Sequence, residues 1–146
     1  MHGGDGFTAA QSERLQRACE AAAAQSGLIV SVGIGAGTGE LREQGERVLA
    51  RLLDGHPVAA LLVLVDPGAR RLEILTSAPA RRRLTDQQCA LAALSMTTSF
   101  GVGDLVGGVV NGIRMLADAA GVHDPGYVQG VQGAQGDQFG GSRTPA

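Results

Sequence analysis

The pattern of polar and apolar positions is clearest in the middle of the chain, where it predicts a β-hairpin. The run Ala59–Val65 contains no polar side chain, which is typical of a strand that is covered on both faces. Asp66-Pro67-Gly68-Ala69 follows and has the composition of a tight turn. Arg70–Thr76 then places Leu72 and Ile74 on one face of a strand, and Arg71, Glu73 and Leu75 on the other. We therefore expect the first strand to be central in its sheet and the second to lie nearer an edge.

Helical periodicity and a second β-like run predict the remaining elements. Helices are expected over Ala9–Gln25, Glu40–Leu53, Asp86–Thr98 and 105–120, and a strand over Leu28–Ile34. The order is α-β-α-β-β-α-α, in which the strand–helix–strand crossover implies two parallel strands. The sequence therefore predicts an α/β fold in which helical layers cover both faces of a small mixed sheet.

The last predicted helix carries two glycines, Gly108 and Gly112, at a spacing of four residues. This spacing places them on one helical face, where another helix or the sheet can approach closely.

Length and composition divide the chain into one domain with two flexible ends. A chain of 146 residues is long enough for one proper hydrophobic core. We expect a flexible leader over residues 1–7, an α/β domain over 8–121 and a disordered tail over 122–146. The tail is rich in glycine and glutamine, and its scattered apolar residues cannot offset the entropy lost on ordering.

Charge and residue usage exclude several classes of function. A net charge of −2, 3% aromatic residues and no tryptophan argue against nucleic-acid binding. All twelve basic residues are arginine, so chemistry that depends on lysine is excluded. No export signal is recognised, and the apolar stretch Phe100–Leu116 contains five glycines, Asp104 and Arg114, which argues against a membrane span. The sequence therefore predicts a cytoplasmic protein without a transmembrane segment.

Few residues form a pattern with recognisable chemistry. Arg81, Arg82 and Arg83 are adjacent and are candidates for an anion-binding site, although consecutive arginines are also typical of a solvated loop. The glycine-rich run Gly33–Gly39 departs from the nucleotide-binding fingerprint and favours a plain flexible connection. Cys19 and Cys89 fall on predicted apolar stripes, which favours buried thiols over catalysis.

Four segments taken together resemble a TPM domain, a family named for a thylakoid-lumen phosphatase-like protein, a photosystem-repair protein and a modulator of acetylcholine receptors. They are the apolar strand Leu61–Asp66, the basic strand Arg71–Thr76, Leu84-Thr85-Asp86, and the glycine-rich stretch 100–112. The resemblance covers Thr8–Gly121 and is closest to a short actinobacterial branch.

The resemblance implies a three-layer α/β/α sandwich with a small mixed sheet. It also implies a crevice near the sheet edge, where some members are said to bind calcium or hydrolyse phosphate esters. Asp86 matches the aspartate of the family's "LTD" motif and Asp104 that of its "GD" motif. These two residues are therefore candidate metal ligands, and they would have to lie within about 8 Å of each other to hold one ion.

Two functions of different classes remain open. The first is a non-catalytic interaction or accessory module, without a cofactor, that binds an unknown protein partner and supports a membrane or envelope protein complex. The alternative is a metal-dependent phosphatase-like hydrolase, in which Asp86 and Asp104 hold a divalent cation such as calcium and the three arginines offset phosphate charge.

Overall fold

The computed structural model describes residues 7–35 and 39–122. The predicted leader apart from Phe7, the predicted tail apart from Val122, and residues 36–38 of the glycine-rich loop lie outside the described residues. The elements are α1 (Ala9–Ser26), β1 (Ile29–Ile34), α2 (Leu41–Leu53), β2 (Ala60–Asp66), β3 (Arg71–Thr76), α3 (Asp86–Gly101) and α4 (Leu105–Ala120). The order predicted from the sequence is confirmed, and the only addition to it in this part of the chain is a short 3₁₀ helix over Ala80–Arg82.

Local signals explain where the helices begin and end. Thr8 and Thr85 cap α1 and α3, because each side chain accepts a hydrogen bond from the backbone N–H of the glutamine three residues later. That glutamine side chain accepts in return from the backbone N–H of the threonine, which completes a capping box. α1 ends at Gly27, whose φ of 78° is readily adopted only by glycine.

The three strands form one mixed sheet in the order β1-β2-β3. β1 runs parallel to β2, with Val32 beside Val63, and β3 runs antiparallel to β2, with Ile74 on the other side of Val63. The predicted hairpin is confirmed: β2 is central, and β3 lies at an edge. β1 forms the opposite edge.

Both faces of β2 are buried, as its uninterrupted apolar sequence requires. Alternate residues of β2 face two different layers. Leu61, Val63 and Val65 pack in a core with α1, α3 and α4. The residues between them pack against α2 in a second core, which contains Ala60, Leu62, Leu64, Leu41, Leu49 and Leu75. The predicted three-layer α/β/α sandwich is therefore confirmed.

The glycines of α4 permit a close contact with α3. A Cβ atom at Gly108 would collide with the side chain of Ser99, and one at Gly112 would collide with Met96. The predicted close approach therefore occurs, and α3 is the neighbour.

The helical layer that contains three helices is wider than the sheet beneath it. α1 packs against α4, and α4 packs against α3, so the three helices lie side by side. Helices about 10 Å apart span roughly 20 Å between the outer axes, whereas three strands about 4.8 Å apart span only about 10 Å. α1 packs on β1 and α3 on β3, so at these spacings the outer helices are expected to extend beyond the edges of the sheet.

Candidate functional site

The outer edge of β1 presents a row of backbone groups that the sheet does not use. The N–H of Ile29 donates to the carbonyl of Ala59 (2.9 Å), and the N–H of Gly35 donates to that of Val65 (2.8 Å). Backbone groups alternate in direction along a strand, so Val30, Val32 and Ile34 direct their N–H and C=O groups away from β2. No described strand pairs on that side. The edge therefore offers three donors and three acceptors.

The edge formed by β3 is protected by charged side chains. Arg71 pairs with Asp66 (3.2 Å), and Glu73 pairs with Arg42 of α2 (2.9 Å). Arg81 donates to the carbonyl of Thr76 at the end of the strand (2.7 Å). Charges of this kind discourage pairing with a further strand. β1 has the sequence IVSVGI and carries no charge and no proline, so its edge lacks this protection.

An apolar groove runs between α1 and the free edge of β1. Its volume is about 590 Å³, and it is lined by Leu15, Cys19 and Ala23 of α1, with polar Gln16 and Glu20 among the other lining residues. Ile29 and Ile34, at the two ends of β1, are 44% and 39% exposed. α1 thus forms one wall of a groove whose other wall is the outer edge of β1, with which no described strand pairs.

Burial controls the chemistry of the cysteine in this groove. Desolvation, with a smaller effect from the carboxylate of Glu20, raises the pKa of the Cys19 thiol from 9.0 to about 11. Burial, followed by the charge of Asp86, also raises the pKa of Cys89. Both groups are therefore protonated at neutral pH, and a thiol reacts far more slowly than a thiolate.

We expect Cys19 to resist alkylation at mildly basic pH. In a Cys89→Ser variant, iodoacetamide near pH 8 should modify Cys19 at least about tenfold more slowly in the folded protein than in urea, since both burial and protonation protect it. The unfolded thiol ionises near pH 9, while the folded thiol keeps its proton to about pH 11. The free energy of unfolding therefore contains a contribution that is present below pH 9 and lost as the pH rises to 11. Mass spectrometry measures the rate at which iodoacetamide modifies Cys19, and equal rates in the folded protein and in urea would contradict the expected protection.

The structure uses two of the three candidate anion-binding arginines for internal contacts. Arg81 donates to Thr76, as described above, and Arg83 donates to the carbonyls of Ala120 (3.0 Å) and Gly121 (3.3 Å). Arg82 is exposed. Arg83 thus donates hydrogen bonds to carbonyl groups at the C-terminal end of α4, where the helix itself supplies no donors. The anion-binding role of the three arginines stays a prediction.

The two candidate metal ligands lie near opposite ends of α3. Asp86 is the first residue of that helix, and Asp104 follows its end and caps α4 by accepting from the N–H of Gly107 (3.1 Å). A helix of 16 residues with a rise of about 1.5 Å per residue separates its ends by about 22 Å. One cation, with oxygen ligands at about 2.0–2.6 Å, cannot contact both carboxylates. Among the residues that the structure describes, no three His, Cys, Asp or Glu side chains are grouped for metal binding.

The groove beside β1 was not found from the sequence. The available signal was the difference between the two edge strands, since IVSVGI is uncharged and RLEILT is charged. That difference becomes informative only when both strands are known to be edges.

The fold and the groove define a small three-layer α/β/α domain with an unprotected sheet edge. The chain belongs to the family described as "Domain of unknown function (DUF5130)", whose model matches residues 4–117. The expected membership of the TPM family is therefore wrong. The segments that carried that resemblance are explained here by general packing and capping: Thr85 caps a helix, Gly108 allows a close helix contact, and Leu61–Asp66 is a buried strand.

Two solved structures share the fold. The NMR structure of the BA42 protein from the psychrophilic bacterium Bizionia argentinensis has a TM-score of 0.69 and 16% identity, over 78% of this chain and 81% of that one. The N-terminal domain of the cg2496 protein from Corynebacterium glutamicum has a TM-score of 0.59 and 12% identity, over 92% and 83%. At these identities the likeness concerns the fold alone. No curated protein matches the chain.

No helix in the described part of the chain combines the length and the apolar character needed to cross a membrane. The predicted cytoplasmic location stays a prediction.

Proposed function

We propose that this domain is a non-catalytic protein-interaction module that binds an extended segment of a partner protein along β1. The observation that supports it is the row of outward N–H and C=O groups on Val30, Val32 and Ile34, next to the apolar groove under α1. Addition of a strand to an exposed edge draws affinity from backbone hydrogen bonds and specificity from pockets for alternate side chains. Here the outer edge of β1 supplies the backbone groups, and the groove beside α1 supplies the pocket for side chains.

The width of the helical layer favours a single added strand over a second copy of the domain. Because α1 is expected to extend beyond β1, there is space beneath it for one strand at the usual spacing of about 4.8 Å. If a second copy paired its own β1 with this β1, its α1 would lie above the same pair of strands as the α1 of the first copy. Two helices need about 8–10 Å between their axes, which two adjacent strands do not provide.

Side chains of the added strand would alternate between two environments. On one face they would enter the groove lined by Leu15 and Cys19, and on the other they would lie beside Ile29 and Ser31. α2 packs on β2 and β3, so the described residues cover this second face of β1 only in part: Ile29 is exposed, and Ser31 is half-buried. We therefore expect the preferred ligand to have apolar residues at alternate positions, with polar residues between them.

The hydrolase alternative gains no support from the geometry, since Asp86 and Asp104 lie at opposite ends of α3. A role in a membrane or envelope complex stays a prediction from the sequence.

The proposal is tested by selecting random octapeptides against the immobilised full chain. Selected peptides should alternate apolar and polar residues, and in NMR spectra they should shift the amide signals of Val30, Val32 and Ile34. Ile34→Pro removes one outward N–H at the end of the strand and is expected to weaken binding about tenfold, since proline prevents pairing at that position.

The controls separate loss of the edge from loss of the fold. Ile34→Lys keeps the N–H but places a charge on the edge, and it should weaken binding as well. Leu94→Ser removes an exposed apolar residue of α3 and should leave binding unchanged. Peptides that bind with undiminished affinity to both Ile34 variants, or that shift only signals distant from β1, would refute the proposal.

A further inference from the structure

We infer that residues 123–146 of this same chain compete with the partner segment for the groove, and that Tyr127–Gln132 adds to β1 as a fourth strand. This inference rests on the proposed function, because it uses the same edge. It concerns regulation: a partner segment would have to displace a segment that is already tethered to the domain.

The described chain ends beside the place where β1 begins. Gln25, in the last turn of α1, donates to the carboxylate of Asp118 in α4 (2.7 Å). Arg83 holds the carbonyls of Ala120 and Gly121. The ends of α1 and α4 are thus held together, and β1 starts three residues after the end of α1. Val122 therefore leaves the domain at the end of the sheet where β1 begins.

The distance from Val122 to the groove suits the residues that follow it. From the end of α4 the segment must pass α1, about 10 Å to the side, and reach the sheet, about 10 Å below. The direct distance from Val122 to the outer edge of β1 is therefore about 14 Å. The five Cα–Cα steps from Val122 to Tyr127 span about 17 Å when extended, which exceeds that distance, so residues 123–126 can bridge it even with a bend. They include Pro125-Gly126, which favours a turn. A strand that starts at Tyr127 would then run parallel to β1.

The sequence Tyr127–Gln132, YVQGVQ, matches the chemistry of the groove. It is uncharged, and of the described residues that line the groove Glu20 alone is charged. In an extended chain Tyr127, Gln129 and Val131 share one face and would enter the groove between α1 and β1, where Gln129 would meet the polar lining residues Gln16 and Glu20. Val128 would lie on the other face near Ile29. Tyrosine and valine are both favoured in strands.

Tethering explains how a segment that is too polar to order by itself can occupy this site. The sequence predicts that the tail alone buries too little surface to fold. A preformed groove adds apolar contacts and backbone hydrogen bonds, and a short linker raises the local concentration of the segment to the millimolar range. A weak intrinsic affinity is then sufficient for occupancy.

The test compares full-length chains by NMR-detected hydrogen exchange. The outward amides of Val30, Val32 and Ile34 should exchange at least about tenfold faster in a Tyr127→Ser/Val128→Ser/Val131→Ser variant than in the parent. The amides of Ser31 and Gly33, which face β2, serve as an internal reference and should not change. Phe139→Ser alters an apolar residue of the same tail outside the pairing segment and should behave as the parent does.

A second measurement uses peptides. A synthetic peptide of residues 123–134 should restore protection to the triple variant, and octapeptides selected for β1 should bind that variant about tenfold more tightly than the parent. Equal exchange at the outward amides in the parent and the triple variant would overturn the inference. Equal octapeptide affinity for both chains at the β1 edge would also overturn it but would leave the proposed function intact. If no peptide binds at this edge in the triple variant, the proposed function fails as well.

Discussion

Leu62→Asp is expected to abolish cooperative folding. Leu62 lies in the middle of β2, is 1% exposed and packs in the core beneath α2. An aspartate there would bury a carboxyl group among leucines, without a partner, at a cost of several kcal/mol whether it is charged or protonated. Domains of this size are typically stable by only about 5–15 kcal/mol. The substitution therefore removes most or all of the stability.

The measurement is thermal unfolding followed by circular dichroism. Val63→Asp should have the same effect, because Val63 faces the opposite layer and is equally inaccessible. Leu94→Asp is the matched control: its side chain is 64% exposed on α3, so the midpoint should stay within a few degrees of the parent's. A cooperative transition of normal midpoint in either β2 variant would show that one face of the strand is not buried.

Gly108→Ala is expected to destabilise the domain by about 1–3 kcal/mol, the usual cost of overfilling a packed contact. Helix propensity alone predicts the opposite, a gain of about 1 kcal/mol for alanine over glycine. The packing effect dominates because the new methyl group would collide with the side chain of Ser99 and would lie 3.2 Å from the carbonyl oxygen of Met96. α3 and α4 would have to separate, and they cover a large part of the core.

Urea unfolding of Gly108→Ala and Gly101→Ala provides the comparison. Gly101 ends α3, and a Cβ atom there has no neighbour within 4 Å. Its substitution should therefore change the free energy of unfolding by no more than about 0.5 kcal/mol. Equal stability of Gly108→Ala and the parent would mean that the two helices are not in close contact at this position.

Much of the architecture was readable from the sequence because the relevant signals are local. An apolar run without a polar face identifies β2 as a buried strand wherever it lies in the chain. Thr8, Thr85 and Asp104 fix the beginnings of three helices through bonds to residues only three positions away. Gly108 and Gly112 indicated a close contact on one face of α4, although the sequence did not say that α3 would make it.

The candidate sites were harder to predict because they depend on which distant residues meet. Asp86 and Asp104 each begin a helix, and nothing in their local sequence shows that they lie near opposite ends of α3, which is about 22 Å long. The TPM assignment failed for a related reason: a capped helix start, a buried strand and a glycine-containing helix occur wherever such elements pack in layers. Local motifs of this kind describe packing, and family membership required the match over residues 4–117.

Local sequence signals were sufficient to predict the elements of this protein, their order and the burial of the central strand, since periodicity and capping act within a few residues. The position of β1 at an edge of the sheet and the groove between β1 and α1 depend on how distant segments pack together. Those properties come from the different widths of helices and strands in adjacent layers, which no short stretch of sequence records.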